Sequence, residues 1–175
     1  MKTLLILAHP SMKESVFNKT LIEALTKHKN NDIFIHDLYK AYPDFNIDIK
    51  AEQKLLLEFD KIIFESPVYW YNVTPLLKKW FDDVFEHGWA YGHGGTKLHG
   101  KTFGYILTAG GSKQDYIDMQ PQLPSLKQCF NFLKPTADLV GAQLIEPFII
   151  YGAEYNRTPE EVQPSIPGYI KYLEN

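Results

Sequence analysis

Five short apolar runs recur along this chain, each separated from the next by turn signals and, for the most part, a segment of helical spacing. That alternation restricts the fold more than any other feature. The runs are Leu4 to Ala8, Ile33 to His36, Lys61 to Glu65, Thr102 to Thr108 and Leu144 to Tyr151. Short apolar runs bounded by turn residues read as buried strands. Strands alternating with helices predict an α/β fold, a doubly wound five-stranded parallel sheet with helices on both faces and strand order 2-1-3-4-5.

The helix signals are local. Ser15 sits where an N-cap belongs, and Val16, Phe17, Leu21, Ile22 and Leu25 follow at helical spacing. Tyr39 to Ile49 is expected to be irregular, and Lys50 to Glu58 helical with Leu55, Leu56, Leu57 and Phe59 on one side. Thr74-Pro75 pairs an N-cap threonine with a proline at the first helical position. That helix buries Leu76, Leu77, Trp80, Phe81, Val84 and Phe85, and Gly88 is expected to end it. Ser125 to Leu139 reads as a helix that Pro135 kinks or breaks. Thr158 and Glu161 form a capping box for a last helix, which Pro164 and Pro167 interrupt.

A length of 175 residues suits one domain, residues 1–175, with a sizeable core. A net charge of −3 and the lack of any Lys/Arg cluster on a helix argue against a nucleic-acid partner. Cys129 is the only cysteine, so an intrachain disulfide is impossible, which fits a reducing compartment. The apolar start at Leu4 is shorter than a secretory h-region, and no stretch approaches a membrane span. The expectation is a cytoplasmic protein.

Three strand-to-helix loops carry unusual chemistry. In the first, His9 to Asn18, imidazole, hydroxyl and free helix N–H groups meet at the positive end of a helix, a natural place for a phosphate. Neither G-x-G-x-x-G nor a phosphate-loop glycine motif is present. The second, Ser66 to Tyr71, follows a strand that Pro67 ends, and sets Tyr69, Trp70 and Tyr71 side by side. The third is Thr108-Ala109-Gly110-Gly111, where adjacent glycines permit close backbone approach to a ligand. Taken singly, Ser15 reads as a plain cap, the aromatics as a plug over the core and the glycines as a turn. Together, all three fall at one edge of the expected sheet, around the switch between its first and third strands.

The chain resembles the flavodoxin-like NAD(P)H:quinone oxidoreductases, over nearly its whole length. Leu7-Ala8-His9-Pro10 with Ser15-x-Phe17-Asn18 resembles that family's phosphate loop. Pro67 to Tyr71, followed by Pro75 to Asp82, resembles its flavin-ring loop and helix. Trp89-Ala90-Tyr91-Gly92 resembles its substrate-pocket segment, Thr108 to Gly111 its second flavin loop, and Gly141 to Pro147 its closing strand. Leu38 to Asp48 and Glu86 to Thr96 are similar to the subgroup of bacterial ancillary oxidoreductases of glutathione-gated potassium efflux and related general stress proteins.

The resemblance implies a flavoenzyme in which NAD(P)H reduces a bound flavin, leaves, and is replaced by a quinone that takes the hydride. It implies FMN contacts from His9, Ser15, Val16, Phe17 and Asn18 at the phosphate. Contacts from Pro67, Val68, Tyr69, Trp70, Tyr71, Thr108, Ala109, Gly110, Gly111 and Tyr116 would surround the ring. Tyr91 and His93 would line the substrate pocket, and a second copy would complete it as a homodimer. FMN is expected over FAD, whose adenosine half needs more chain. Relatives often carry glutamine at the Tyr69 position. The stretch from Met119 to Gln122 lacks a histidine that some relatives use with the tyrosine, so no acid/base relay is assigned. The His87, His93 and His99 spacing brings no cysteine or carboxylate into register, and no metal is expected. An alternative is a regulatory subunit docked on a membrane potassium-efflux transporter, at the inner face of the membrane. An electron-carrying flavodoxin is disfavoured by the modest charge.

Overall fold

The apolar runs pair edge to edge and all run the same way. The computed structural model describes residues 1–28, 30–119, 122–154 and 158–175. The strands are β1 (Thr3–Leu7), β2 (Ile33–Asp37), β3 (Lys61–Pro67), β4 (Thr102–Thr108), β5 (Gln143–Leu144) and β6 (Phe148–Ile150). Their order is β2-β1-β3-β4, with β5 and β6 both paired in parallel to β4. Leu5 lies beside Ile35 and Ile63, Ile63 beside Gly104, and Thr108 beside Ile150. The expected order holds, but the fifth run splits in two. Pro147 has no N–H to give the ladder, so pairing lapses between Ile145 and Phe148.

Because side chains alternate along a strand, the sheet separates two cores. On one side Ile6, Ile62, Phe64, Phe103 and Tyr105 meet α3 (Ile49–Leu57), α4 (Pro75–Val84) and α7 (Leu133–Leu139). Phe64 is the centre of this layer. Its ring lies 4.8 Å from Phe81 and 5.7 Å from Trp80, both at steep angles, and stacks on Tyr105 at 5.1 Å. On the other side Leu5, Ile63 and Ile106 pack under α1 (Val16–His28) and α9 (Ile166–Glu174), through Phe17, Leu21, Tyr169 and Leu173.

Several local expectations shift. Leu38–Ala41 forms a one-turn helix, α2, capped by Asp37 where irregular chain was expected. The buried face of α3 is Glu52, Gln53 and Leu56, while Leu57 is exposed, because three consecutive leucines cannot share one helix face. α4 ends at Val84, and Gly88 supplies a positive φ in the turn beyond it. The expected helix from Ser125 is two pieces, α6 (Leu126–Cys129) and α7, joined by a 3-10 turn at Phe130–Phe132. The break precedes Pro135, which sits early in α7 where its missing N–H costs nothing. Thr158 and Glu161 do form the capping box of α8 (Pro159–Val162). A short helix after β4, α5 (Lys113–Asp118), was not foreseen. No helix among the described residues is long and apolar enough to cross a membrane.

One buried carboxylate locks the segment that carries α4. Glu52 accepts from His36 Nε2 (2.7 Å) and the Tyr42 hydroxyl (2.6 Å) on one oxygen, and from Trp80 Nε1 (2.8 Å) on the other. Burial pushes this carboxyl up, but the donors outweigh it and hold it below the ordinary range. Such a group stabilises the fold above its unfolded-state pKa, and the contribution is lost as pH falls through the depressed folded value. Glu52→Ala leaves three donors stranded and is expected to cost about 3 kcal/mol at pH 7 in urea denaturation. The gap to the parent should narrow in acid, where the parent loses the same contribution. A variant as stable as the parent at pH 7 would rule out this hub.

Candidate active site

The carboxyl ends of β1, β3 and β4 open onto one edge, and two adjoining recesses lie there, of about 400 and 490 Å³. They share Val68, Tyr69, Gly110 and Glu154, and so form one elongated groove. It stands at the switch point, where the chain leaves β1 toward β2 on one side and β3 lies on the other.

The first recess is an anion cradle. After β1 the chain turns, with Glu14 and Ser15 N–H groups donating to the Ser11 carbonyl, and enters α1. Ser15 Oγ accepts from the Asn18 backbone N–H (3.1 Å) and side-chain amide (3.0 Å). The amide also donates to Thr108 Oγ1 at 3.2 Å, tying the helix start to the end of β4. The first two backbone N–H groups of α1, of Val16 and Phe17, have no acceptor within the helix, and Val16 lines this recess. His9 Nδ1 accepts from the Ser11 N–H at 3.1 Å, which leaves the proton of the neutral ring on Nε2 as a donor. Burial holds the His9 pKa below its ordinary value, with the Asp37 charge opposing. Among the described residues no Lys or Arg lines either recess, so an anion there would meet N–H dipoles rather than ion pairs from them.

The second recess is walled by aromatics. Val68 N–H donates to the Thr108 carbonyl at 2.9 Å, after which the chain reverses over two residues. Tyr69 and Asn72 exchange both backbone hydrogen bonds, at 2.9 and 3.0 Å, around Trp70 and Tyr71. Both central residues have positive φ, 50° and 60°, the geometry that tight hairpins normally fill with Asn-Gly. Strain at bulky residues marks a position held for something other than stability. Trp70 is 96% exposed at the rim. Opposite stand Gly110, Gly111 and Tyr116 of α5, whose start is fixed by the reciprocal Ser112–Asp115 cap. Burial, and then the neighbouring Tyr71 and Glu154, raise the Tyr116 pKa, so its hydroxyl keeps its proton at neutral pH.

The loops are braced from behind. The Thr74 hydroxyl does not cap α4; it donates to the Ala8 carbonyl at 3.0 Å, and Thr74 N–H donates to Ser66 Oγ. That joins the ends of β1 and β3 to the start of α4. Gly152, Ala153 and Glu154 N–H groups donate in turn to the Gly111, Ala109 and Gly110 carbonyls. Glu154 lies across Gly110, where a Cβ would push its side chain aside.

The structure gathers His9, Ser15, Val16, Asn18, Pro67, Val68, Tyr69, Trp70, Tyr71, Thr108, Gly110, Gly111 and Tyr116 along the groove. Phe17 and Ala109 stand differently. The Phe17 side chain belongs to the core under α1, and Ala109 is buried behind the glycine loop. Tyr91 and His93 lie in the turn after α4, where Gly88 N–H bonds the Tyr91 carbonyl, and neither lines the groove. Ser11, Glu14, Ala153 and Glu154 line it without having been singled out. Gln120 and Pro121, in the stretch that lacks a relay histidine, fall outside the described residues.

A doubly wound α/β sheet with a ligand groove at its switch point defines the class as flavodoxin-like. The profile of the flavodoxin-like fold matches residues 1–175, and the chain belongs to that family of NAD(P)H oxidoreductases. It is 41% identical over 173 residues to an uncharacterized NAD(P)H oxidoreductase, YrkL, of Bacillus subtilis, covering 99% of this chain and 98% of that one. A general stress protein 14 from Treponema denticola, solved in complex with FMN, is 34% identical with a TM-score of 0.90, covering 99% and 98% of the two chains. An NADPH-quinone reductase from P. pentosaceus is 26% identical with a TM-score of 0.86, covering 100% and 99%.

Replacing the strained pair, Trp70→Asn with Tyr71→Gly, is expected to raise stability by about 1 kcal/mol, because two positive-φ penalties are relieved. Urea midpoints measured without ligand check this. A fall in stability would mean the turn carries no strain.

Proposed function

We infer that this protein is a flavin-dependent NAD(P)H:quinone oxidoreductase that holds FMN along the groove. The observation that carries this reading is the continuity of the anion cradle with the aromatic-walled recess. An elongated ligand with a phosphate at one end and a flat ring at the other fits both, and the first N–H groups of α1 lie beyond the helix's own carbonyls. When bound, FMN supplies the hydride chemistry between the nicotinamide donor and a quinone-type acceptor.

The chain's own part is to bind, orient and hold protons. Ser15, Asn18 and Thr108 keep the helix start rigid, so its N–H groups meet the phosphate without reorganising. His9 adds an uncharged N–H from Nε2. Tyr69, Trp70, Tyr71 and the Gly110–Gly111 backbone bound the ring, and Tyr116 presents a protonated hydroxyl at that end.

Purified protein is expected to show oxidised-flavin absorbance that NADPH or NADH bleaches and a quinone restores; a protein that takes up neither FMN nor FAD would refute the reading. Asn18→Ala should weaken FMN by roughly tenfold while leaving riboflavin, which has no phosphate, nearly unaffected, as fluorescence titration would record. Equal loss for both ligands would place Asn18 outside the phosphate site.

The protein acts as a homodimer in this reading. Trp70 and Ile117 are exposed beside the ring end, and a second copy would cover them and bring Tyr91 and His93 toward a neighbouring groove. A monomer in sedimentation at micromolar concentration would exclude that. The ancillary-subunit reading rests on the lobe at 42–48, which Tyr42 and Glu52 hold in one conformation. Copurification with a potassium-efflux transporter tests it.

A further inference from the structure

Glu65 is an ionisable group that the groove's ligand chemistry leaves unused. It sits on β3 two residues before Pro67, between Leu7 of β1 and Ile106 of β4, and is fully buried. Its Oε2 accepts from the Tyr169 hydroxyl of α9 at 2.8 Å, and Oε1 has no partner among the described residues. A carboxylate in such a place would have one hydrogen bond where four lone-pair sites want donors, which strongly favours the neutral acid.

Its position relates it to the anion cradle. Side chains two apart on a strand share a face, so Glu65 lies on the same side of the sheet as Pro67, about 7 Å along the strand. Thr108, beside Pro67, stands in the same relation to Ile106, beside Glu65. Pro67, Thr108 and Asn18 line the cradle, and Glu65 is the next layer below them. Nothing charged intervenes. Toward Glu65, α9 presents Tyr169, α1 belongs to the same core through Phe17 and Leu21, and β1 and β4 present Leu7 and Ile106. Lys61, four residues back on the same strand, is turned to the Tyr172 and Leu173 carbonyls. The remaining titratable groups nearby, His9, Glu14 and Glu154, line the groove itself.

We propose that Glu65 is a proton-linked positioning residue of the anion cradle: it is uncharged when a phosphate ligand is held above it, and its ionisation weakens the hold on that ligand. The proposal rests on the reading of the groove as a site for FMN. Burial raises the Glu65 carboxyl to about 8, with the Tyr169 hydrogen bond opposing. A bound phosphate raises it further, since a second negative charge in the same low-dielectric layer is disfavoured. The sign follows from linkage. The free protein loses the proton first, so binding takes a proton up, and affinity is full below about 8 and falls as pH rises toward the bound-state value. The same raised pKa makes the ligand-free fold lose stability as pH climbs from the ordinary carboxylate range toward 8. His9, held below its usual pKa, acts on the acid side of neutrality and does not share this window.

The test is fluorescence titration of the apoprotein with FMN and with riboflavin from pH 7 to pH 9. A coupling of roughly tenfold predicts an FMN affinity about fivefold weaker at pH 9 than at pH 7, and a smaller change for riboflavin. Glu65→Gln should bind FMN with the pH 7 affinity at both ends. It should also lack the fall in apoprotein stability as pH climbs from the ordinary carboxylate range toward 8, and the infrared band of a protonated carboxyl that the parent shows at pH 7. Tyr169→Phe, which removes the one donor favouring the carboxylate, should move the fall in affinity to higher pH, and it reads the proposal even where Glu65→Gln fails to fold. An identical pH slope in parent and Glu65→Gln, or a parent whose Glu65 is ionised at pH 7, overturns the proposal while leaving the cofactor reading intact. Absence of FMN binding at every pH overturns both.

Discussion

Everything in this molecule that forms the groove depends on β1, β3 and β4 ending at the same edge of the sheet. Parallel pairing sets Leu7 beside Glu65 and Pro67 beside Thr108, so three loops leave that edge from consecutive strands. Parallel strands must be joined by crossovers that cover the faces of the sheet, and each crossover here starts with a loop at that edge. The helix dipole of α1, the turn at Trp70 and Tyr71 and the glycine pair after β4 come from distant parts of the chain. The register makes them one site.

The bracing is divided between the two sides of the sheet. On the side of α4, aromatic packing about Phe64 and the Glu52 hub hold the helix whose start is stitched to Ala8 and Ser66. On the side of α1, Asn18 links the cradle to β4, and a second row of backbone bonds ties residues 152–154 to the glycine loop. Rigid support behind a loop with few contacts of its own is the usual way to fix ligand geometry while leaving the surface open.

Much of this was legible in the residues. Short apolar runs and the capping signals of Ser15, Pro75 and Thr158 suffice for the first four strands and for α1, α4 and α8, since both are local properties. The three loops were legible because histidine, clustered aromatics and paired glycines are unusual there. What stayed hidden was tertiary. Glu154 reaches the groove only because β6 docks on β4 and its loop zips onto Ala109, Gly110 and Gly111, a pairing that local pattern does not disclose. Glu65 read as the polar end of an apolar run, yet its strand continues to Pro67 and buries it. Leu57 read as core because leucine is apolar, and helical rotation places it outside. The long run from Leu144 reads as one strand because apolar residues stand on both sides of Pro147, and the proline divides it.

The exposed indole at the groove rim has an optical consequence. Of the three tryptophans, Trp80 is sealed in the core and Trp89 is half-buried, while Trp70 stands almost wholly in water. In a single copy of the chain its emission is therefore the most red-shifted of the three, and it is the one whose surroundings a second copy or a planar chromophore in the second recess alters. The strained turn thus carries an intrinsic reporter of occupancy, which allows filling of the groove to be followed in the native protein without an attached dye.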